Sequence, residues 1–240
     1  MKKVGFLTLA VLFFTVFSFN AMAQIKEKDV TELVFILDRS GSMAGLESET
    51  IGGFNSILEK QRKETKGSVI VTTVLFDNEY EILHNRLPIN EVKKITSEEY
   101  YVRGMTALLD AIGKSIVNLK EINKNKKNKD SKVLFVIITD GMENASKEFT
   151  IAKVKELVEL QKKEFKWEFL FLGANIDAIQ TAESFGIDAS KAVQYHSDKI
   201  GTEKNYRVLN EAVSEFRSGK ELNAEWKKEI ETDFKERKQQ

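Results

Sequence analysis

One stretch of this sequence decides its fold: LVFILDRSGSM, residues 33–43. A short run of bulky apolar residues stops at Asp38, and two hydroxyl residues, Ser40 and Ser42, follow in a loop that contains glycine. Such a run predicts a buried central strand. Because ligands of open α/β sheets bind outside the carboxyl ends of strands, these three oxygen donors stand where a site is expected. Donors of this kind suit a hard divalent cation.

The composition predicts one domain and excludes several kinds of site. The chain has 240 residues, 42% of them hydrophobic, which is enough for one sizeable core. Lys plus Arg and Asp plus Glu both number 37, so we expect no nucleic-acid partner. The absence of cysteine excludes disulfides, thiolate metal sites and cysteine nucleophiles.

The first 23 residues have the pattern of a cleaved signal peptide. Lys2 and Lys3 precede an apolar run over residues 4–19, and the small residues of Ala21-Met22-Ala23 predict cleavage before Gln24. The alternative is an uncleaved anchor helix, but the run is shorter than the roughly 17–25 residues that a span needs. We therefore expect an exported protein, periplasmic or secreted, with no membrane span after cleavage.

Apolar patterns along the rest of the chain predict alternating strands and helices. Strands are expected at 29–38, 69–76, 79–83, 133–139, 167–172 and 192–195, and helices at 51–64, 89–95, 109–119, 151–158, 174–185, 206–216 and 222–234. The turn pair Asp77-Asn78 predicts a hairpin, hence one antiparallel edge strand. Alternation with short connections predicts a doubly wound, mostly parallel α/β sheet with helices on both faces.

Three further features have two readings each. Gly52-Gly53 indicates either close packing of a helix against the sheet or the site loop, or a weak helix start. The Lys- and Asn-rich segment 120–132 is expected to be a solvated loop, although lysines could also meet nucleic acid. The amphipathic helix predicted within 218–240 could bind a partner, but such a stripe more often docks on its own domain.

Side chains that are distant in the sequence are expected to meet at one edge of the sheet. Asp38, Ser40 and Ser42 follow one buried strand, Thr106 stands at a helix start, and Asp140 follows a second buried strand. Taken singly, the Asp-x-Ser-x-Ser pattern can be a chance match, Thr106 a helix cap and Asp140 part of a turn. If the two strands are neighbours, however, both carboxylates emerge within a few ångströms, and like charges that close need a cation between them.

This arrangement resembles the von Willebrand factor A-type (vWA) domain of bacterial exported proteins, over residues 30–217. That family's metal-ion-dependent adhesion site (MIDAS) uses an Asp-x-Ser-x-Ser loop, a Thr and a later Asp, which match Asp38, Ser40, Ser42, Thr106 and Asp140. The resemblance implies a six-stranded sheet in the order 3-2-1-4-5-6 with strand 3 antiparallel. It also implies that the three hydroxyls contact the ion and that the carboxylates act directly or through water.

The expected function is that of a metal-dependent protein-binding module for adhesion or complex assembly. Neutral hydroxyl ligands quench little of the ion's charge, so a water on the cation can be replaced by an Asp or Glu carboxylate of a partner protein. The expected cation is Mg²⁺, with Mn²⁺ and Ca²⁺ as alternatives. The alternative functions are a metal-assisted hydrolase at the same ion and a structural envelope subunit with incidental metal.

Few residues in the sequence support an enzymatic function. His84 and His196 are both expected at the surface, away from the site, and no nucleophile elbow or phosphate-binding glycine loop is present in the sequence. Glu143 and Asn144 could line the rim of the site, but a solvated turn is the preferred interpretation. We therefore predict a protein without catalytic residues.

Overall fold

The computed structural model describes residues 30–124 and 131–237. The predicted signal peptide, residues 1–23, with its cleavage point before Gln24, lies outside the described residues. So do residues 125–130 of the predicted loop 120–132 and residues 238–240 of the predicted C-terminal segment 218–240. Within the described ranges, no helix combines the length and the apolar character that crossing a membrane requires.

The described chain alternates strands and helices, as predicted. The strands are β1 (Val30–Asp38), β2 (Ser68–Phe76), β3 (Tyr80–Pro88), β4 (Lys132–Thr139), β5 (Glu168–Ala174) and β6 (Ala192–Tyr195). The helices are α1 (Glu47–Lys63), α2 (Leu108–Lys124), α3 (Ile151–Phe165), α4 (Ala178–Ser184), α5 (Lys199–Ser218) and α6 (Lys228–Arg237). Short 3-10 helices cover Gly41–Met43, Ala189–Lys191 and Ala224–Lys227.

The sheet has the predicted topology. Its strand order is β3-β2-β1-β4-β5-β6, and every neighbouring pair is parallel except β2 with β3. In the central ladders Asp38 is paired with Phe76 on one side, and Leu37 with Ile138 on the other. The residues that follow β1 and β4 therefore emerge side by side at the carboxyl edge, which confirms the predicted fold class and strand order.

Helices cover both faces of this sheet. Alternate β1 residues point into two cores: Phe35 packs with α1, α5 and the C-terminal segment, whereas Ile36 packs with α2, α3 and α4. Because both faces are buried, residues 33–37 of β1 and 133–138 of β4 are continuously apolar, without the alternation of a half-exposed strand. This explains why the sequence showed these two strands so clearly.

The glycine pair of α1 permits close helix packing. A Cβ atom on Gly53 would lie 2.2 Å from Cγ of Tyr206 in α5, whereas one on Gly52 would meet nothing within 4 Å. The first of the two readings is therefore correct at Gly53. The close partner is helix α5, not the sheet or the site loop.

The helix predicted at 89–95 is wrong, because this segment consists of turns and irregular chain. Its backbone groups bond to side chains of α1 in place of a helical ladder. The Asn55 amide accepts from the N–H of Ile95 at 3.0 Å and donates to its carbonyl at 2.8 Å, and Nε of Arg62 donates to the Ile89 carbonyl at 2.9 Å. The apolar residues whose spacing suggested a helix are buried and anchor a loop instead.

The C-terminal stripe covers the protein's own domain. The single helix predicted over 222–234 is divided into the 3-10 turn Ala224–Lys227 and α6. Trp226 and Ile230 are buried in the same core as α5, and the Trp226 indole N–H donates to the Ser190 carbonyl at 2.9 Å. This apolar face is therefore not free to bind a partner.

Candidate metal centre

The five predicted site residues lie on three loops that backbone hydrogen bonds join into one unit. The Gly41 N–H donates to the Gly104 carbonyl at 3.2 Å, and the Arg103 N–H donates to the Arg39 carbonyl at 2.8 Å. A third hydrogen bond joins the loop after β4 to the loop before α2: a backbone N–H of the first loop donates to the Thr106 carbonyl at 3.0 Å. Thr106 itself lies two residues before α2 begins.

The Ser40 hydroxyl contacts the other two hydroxyl groups of the site. Oγ of Ser40 lies 3.1 Å from Oγ of Ser42, and the Thr106 hydroxyl donates to Oγ of Ser40 at 2.9 Å. A Cβ atom on Gly141 would lie only 2.8 Å from the Ser42 hydroxyl and 3.1 Å from that of Thr106. Glycine after Asp140 therefore lets the β4 loop reach the hydroxyls.

The two carboxylates are buried beside these hydroxyls. Asp38 is 1% exposed and accepts from the Ser40 N–H at 2.7 Å and from the Thr139 hydroxyl at 2.6 Å. Asp140, also 1% exposed, accepts from the Ser197 hydroxyl at 3.1 Å through Oδ2, and its Oδ1 has no hydrogen-bond partner among the described residues. In the described part of the chain, neither carboxylate has a salt bridge to a basic side chain.

Burial raises the pKa of both carboxyl groups. The pKa of Asp38 rises to about 6, because desolvation outweighs the hydrogen bonds from Thr139 and Ser40, and the charge of Asp140 adds to the rise. Desolvation also raises the pKa of Asp140, against the effect of the nearby Ser42 and Ser197 hydroxyls. Two buried negative charges without a compensating cation are the electrostatic signature of this site.

The donor set fits a hard divalent cation. It comprises three hydroxyls and two carboxylates, all oxygen, and one buried carboxylate oxygen that lacks any partner. No group of three or more His, Cys, Asp or Glu side chains within residues 30–124 and 131–237 could hold a metal by itself. A cation here would therefore depend on the hydroxyls of Ser40, Ser42 and Thr106.

Three residues that support the site were missed from the sequence. Thr139, the last residue of β4, bonds to Asp38, and the Tyr100 hydroxyl donates to the Asp38 carbonyl. Ser197, which bonds to Asp140, lies on the loop after β6, 57 residues further along the chain. The polar Thr139 at the end of an apolar run was a usable signal, whereas Ser197 had none.

Glu143 and Asn144 were expected in a solvated turn, but the structure gives them bonding partners. The Asn144 side-chain oxygen accepts from the Thr106 N–H at 2.8 Å. The Glu143 carboxylate accepts from the Leu109 N–H at 2.9 Å and so satisfies a free amide at the start of α2. Asn144, although exposed, therefore holds the backbone of Thr106, and the half-buried Glu143 holds the start of α2.

Both expectations for the histidines need correction. His84 is buried, not at the surface, and its Nδ1 lies 3.0 Å from Oγ1 of Thr73; burial lowers its pKa. His196 directly precedes Ser197, so it is close to the site along the chain. Its ring, however, faces α6, where Nε2 lies 3.1 Å from the Phe234 carbonyl and the two rings stack at 4.6 Å.

A second buried carboxylate cluster lies beside the site. Asp77 follows β2, is fully buried, and accepts from Nε of Arg39 at 3.0 Å and from Nε of Arg103 at 2.7 Å. Its carbonyl accepts from the Ala107 N–H at 2.8 Å. This cluster is neutralised within the chain and fixes the loop that carries Thr106.

Comparisons with known proteins identify the fold. No protein-family model and no curated protein matches the chain. Among solved structures, proximal thread matrix protein 1 from the mussel byssus is 14% identical with a TM-score of 0.52, covering 76% of this chain and 46% of that chain. A structure of the same mussel protein has a zinc-occupied MIDAS motif, with 14% identity, a TM-score of 0.52, and 76% and 45% coverage.

An archaeal protein gives a similar result. The ArnB paralog VWA2 from Sulfolobus acidocaldarius is 16% identical with a TM-score of 0.50, covering 75% of this chain and 44% of that chain. This chain thus spans less than half the length of each of these proteins. At such low identity the similarity establishes the fold alone. Strand order, strand directions and these matches agree that the chain has a vWA-like α/β fold.

Proposed function

We propose that this protein is a metal-dependent docking module, in which Asp38, Ser40, Ser42, Thr106 and Asp140 hold a divalent cation that a partner protein completes. One observation carries the proposal. Two carboxylates are buried together without a basic side chain bonded to either in the described part of the chain. Because burying unpaired charge is costly, a cation from solution is the natural partner for them.

The ligand types also favour docking over tight structural metal binding. The hydroxyls of Ser40, Ser42 and Thr106 would contact the ion, and Asp38 and Asp140 would act directly or through water. A divalent cation with several neutral ligands stays electrophilic and supplies an attachment point for a carboxylate. An Asp or Glu side chain of another protein is the partner group that we propose.

The zinc-occupied MIDAS of the mussel protein supports a divalent cation at this kind of fold. We propose Mg²⁺ for this chain, with Mn²⁺ and Ca²⁺ as alternatives, because hydroxyl and carboxylate oxygens suit hard cations better than zinc. We further propose that the protein acts outside the cytoplasm, since residues 1–23 have the signal-peptide pattern.

We propose, too, that the protein is not an enzyme. A metal-assisted hydrolase needs a base near the ion, and both histidines have other contacts: His84 with Thr73, and His196 with Phe234. The test is incubation of the pure Mg²⁺-loaded protein with chromogenic ester, phosphate and peptide substrates. Turnover that disappears in Asp140→Asn would contradict this part of the proposal.

The docking function is tested by capture of partners on the immobilised protein. Extracellular and envelope fractions would be passed over wild type, Asp140→Asn and the control Asp188→Asn, whose exposed carboxylate pairs with Lys162 away from the site. We expect a protein that binds in Mg²⁺, elutes with EDTA and is absent from the Asp140→Asn column. A partner retained equally in EDTA and by all three columns would refute metal-dependent docking.

A further inference from the structure

The candidate metal centre is bordered by unusually exposed apolar side chains. Met142 is 71% exposed and Met105 is 57% exposed. Met142 lies two residues after Asp140, and Met105 directly precedes Thr106. Each methionine therefore sits on a loop that supplies one predicted ligand. Nothing in the site's own geometry requires a large apolar residue at either position.

Two more apolar residues extend this border. Ile200, 61% exposed, lies in the first turn of α5, three residues after Ser197, which bonds to Asp140. Tyr101, 44% exposed, belongs to the segment that leads to Thr106. We call these four residues, Tyr101, Met105, Met142 and Ile200, the apolar rim. The three most exposed large hydrophobic side chains in the described ranges all belong to it.

The rim combines a fixed aromatic side chain with adaptable ones. The ring centroid of Tyr101 lies 5.5 Å from the Arg39 guanidinium carbon and 5.6 Å from that of Arg103, so two cations border one ring. The methionines are unbranched and polarizable, and they adapt to different apolar surfaces. Apolar side chains scattered singly are ordinary, but a group of them around a polar site marks an interaction surface.

We propose that the apolar rim selects the partner segment: it binds an acidic residue that is flanked by large apolar side chains. This inference rests on the proposed docking function and specifies its partner. Contact between the rim and apolar neighbours would exclude water from the bond between carboxylate and cation, which strengthens that bond. The methionines would accept several apolar residue types, whereas the acidic residue would be required.

The charges around the rim argue against a run of acidic residues as the partner. The two arginines beside Tyr101 are already paired: Arg39 with Asp77 and Glu81, and Arg103 with Asp77 and Glu79. No surplus positive charge borders the site there to attract a second or third carboxylate. Apolar flanking residues fit this surface better.

The test begins with a random heptapeptide display library panned on the purified protein in Mg²⁺ and eluted with EDTA. We expect the recovered peptides to share one Asp or Glu with Leu, Ile, Val, Phe or Met beside it. Acidic peptides without any apolar preference would overturn the role of the rim and leave docking intact. If no peptide elutes with EDTA, or if those that do lack an acidic residue, the proposed docking function itself fails.

Variants then distinguish the contribution of the apolar rim to peptide binding from that of the metal. In Met105→Gln/Met142→Gln, which keeps side-chain length, we expect about tenfold or greater weakening for a selected synthetic peptide, with the Mg²⁺-induced rise in melting temperature unchanged. The control is Leu160→Gln, an exposed apolar residue on α3 with 38% exposure, outside the loops of the site. A double variant that binds the peptide as the wild type does would overturn the inference.

Discussion

Asp38 and Asp77 occupy nearly equivalent places in the fold but are neutralised in different ways. Asp38 ends β1 and Asp77 directly follows β2, its parallel neighbour, and both are buried. Asp77 is bonded to two guanidinium groups, those of Arg39 and Arg103. Among the described residues, the Asp38 carboxylate accepts hydrogen bonds only from a backbone N–H and the Thr139 hydroxyl. One carboxylate is paired with two cations, and the other has no cationic partner in the described part of the chain.

This difference separates a structural carboxylate from a functional one. Removing a charge from water costs several kcal/mol unless a partner compensates it. At Asp77 the arginines provide that compensation, so the loop that carries Thr106 is fixed with or without metal. At Asp38 the cost remains and appears as a pKa raised to about 6. Five experiments would test this contrast and the support of the site, and the first has the largest expected effect.

Replacing Asp77 should destabilise the protein whether or not metal is present. In Asp77→Ala, Arg39 remains 1% exposed without its buried partner, and we expect the free energy of unfolding to fall by about 3–5 kcal/mol. The measurement is urea denaturation in Mg²⁺ and in EDTA. The control is Glu79→Ala, an exposed partner of Arg103 for which at most about 1 kcal/mol is expected. Equal losses in the two variants would refute the structural role of Asp77.

Replacing Asp38 should have the opposite effect on the metal-free protein. Its pKa is raised from 3.8 to about 6 on folding, so its stabilising contribution is complete below pH 3.8 and is lost as the pH rises through 6. At 1.36 kcal/mol per pKa unit, the loss is about 3 kcal/mol. In EDTA, Asp38→Asn should therefore match the wild type near pH 4 and be more stable than it at pH 7.5. Denaturation curves at the two pH values measure this difference. A wild type that is the more stable protein at pH 7.5 in EDTA would contradict the prediction.

Adding Mg²⁺ should raise the melting temperature of the wild type and not that of Asp140→Asn. A ligand that binds only the folded state at 100 times its dissociation constant adds about 2.7 kcal/mol to the free energy of unfolding. The measurement is thermal unfolding across a Mg²⁺ series at pH 7.5, with Asp77→Asn as a comparison that should keep the shift if it folds. The same shift in Asp140→Asn would eliminate the proposed site.

Much of the fold and of the candidate site could be predicted from the sequence, because their main elements are local or periodic. The apolar runs of β1 and β4 are continuous since helices cover both sheet faces, and each run ends at a carboxylate. Asp38, Ser40 and Ser42 share one loop, so the hydroxyl donors were visible together. Once β1 and β4 were placed as neighbours, Asp140 followed from the topology.

The parts that could not be predicted depend on contacts between distant side chains. The segment 89–95 has helical apolar spacing but takes its hydrogen bonds from Asn55 and Arg62 of α1. His84 was expected at the surface because its strand is at the edge, but it bonds inward to Thr73. Ser197 reaches Asp140 from a loop that follows the last strand. None of these contacts has a local pattern.

Ser197 gives a smaller and more specific prediction, because its side chain orients a metal ligand without being one. Its hydroxyl donates to Oδ2 of Asp140, the same carboxylate whose Oδ1 has no partner. A side chain that orients a metal ligand typically contributes 10–100-fold to metal affinity. We expect Ser197→Ala to weaken Mg²⁺ binding by about tenfold, measured by calorimetry, without changing stability in EDTA by more than about 1 kcal/mol. Unchanged Mg²⁺ affinity would show that Asp140 needs no such support.

Helix α6 contacts the residues on either side of Ser197, so a related prediction can be made for this C-terminal helix. His196 stacks on Phe234, and Asp198 accepts two hydrogen bonds from Arg237, at 3.1 and 2.7 Å. Arg237→Ala should therefore weaken Mg²⁺ binding in the same direction as Ser197→Ala, but less. Arg207→Ala is the matched control, since it removes a different ion pair between α5 and α6, the one with Glu229. If both arginine variants weaken Mg²⁺ binding equally, α6 acts through general stability and not through the Ser197 loop.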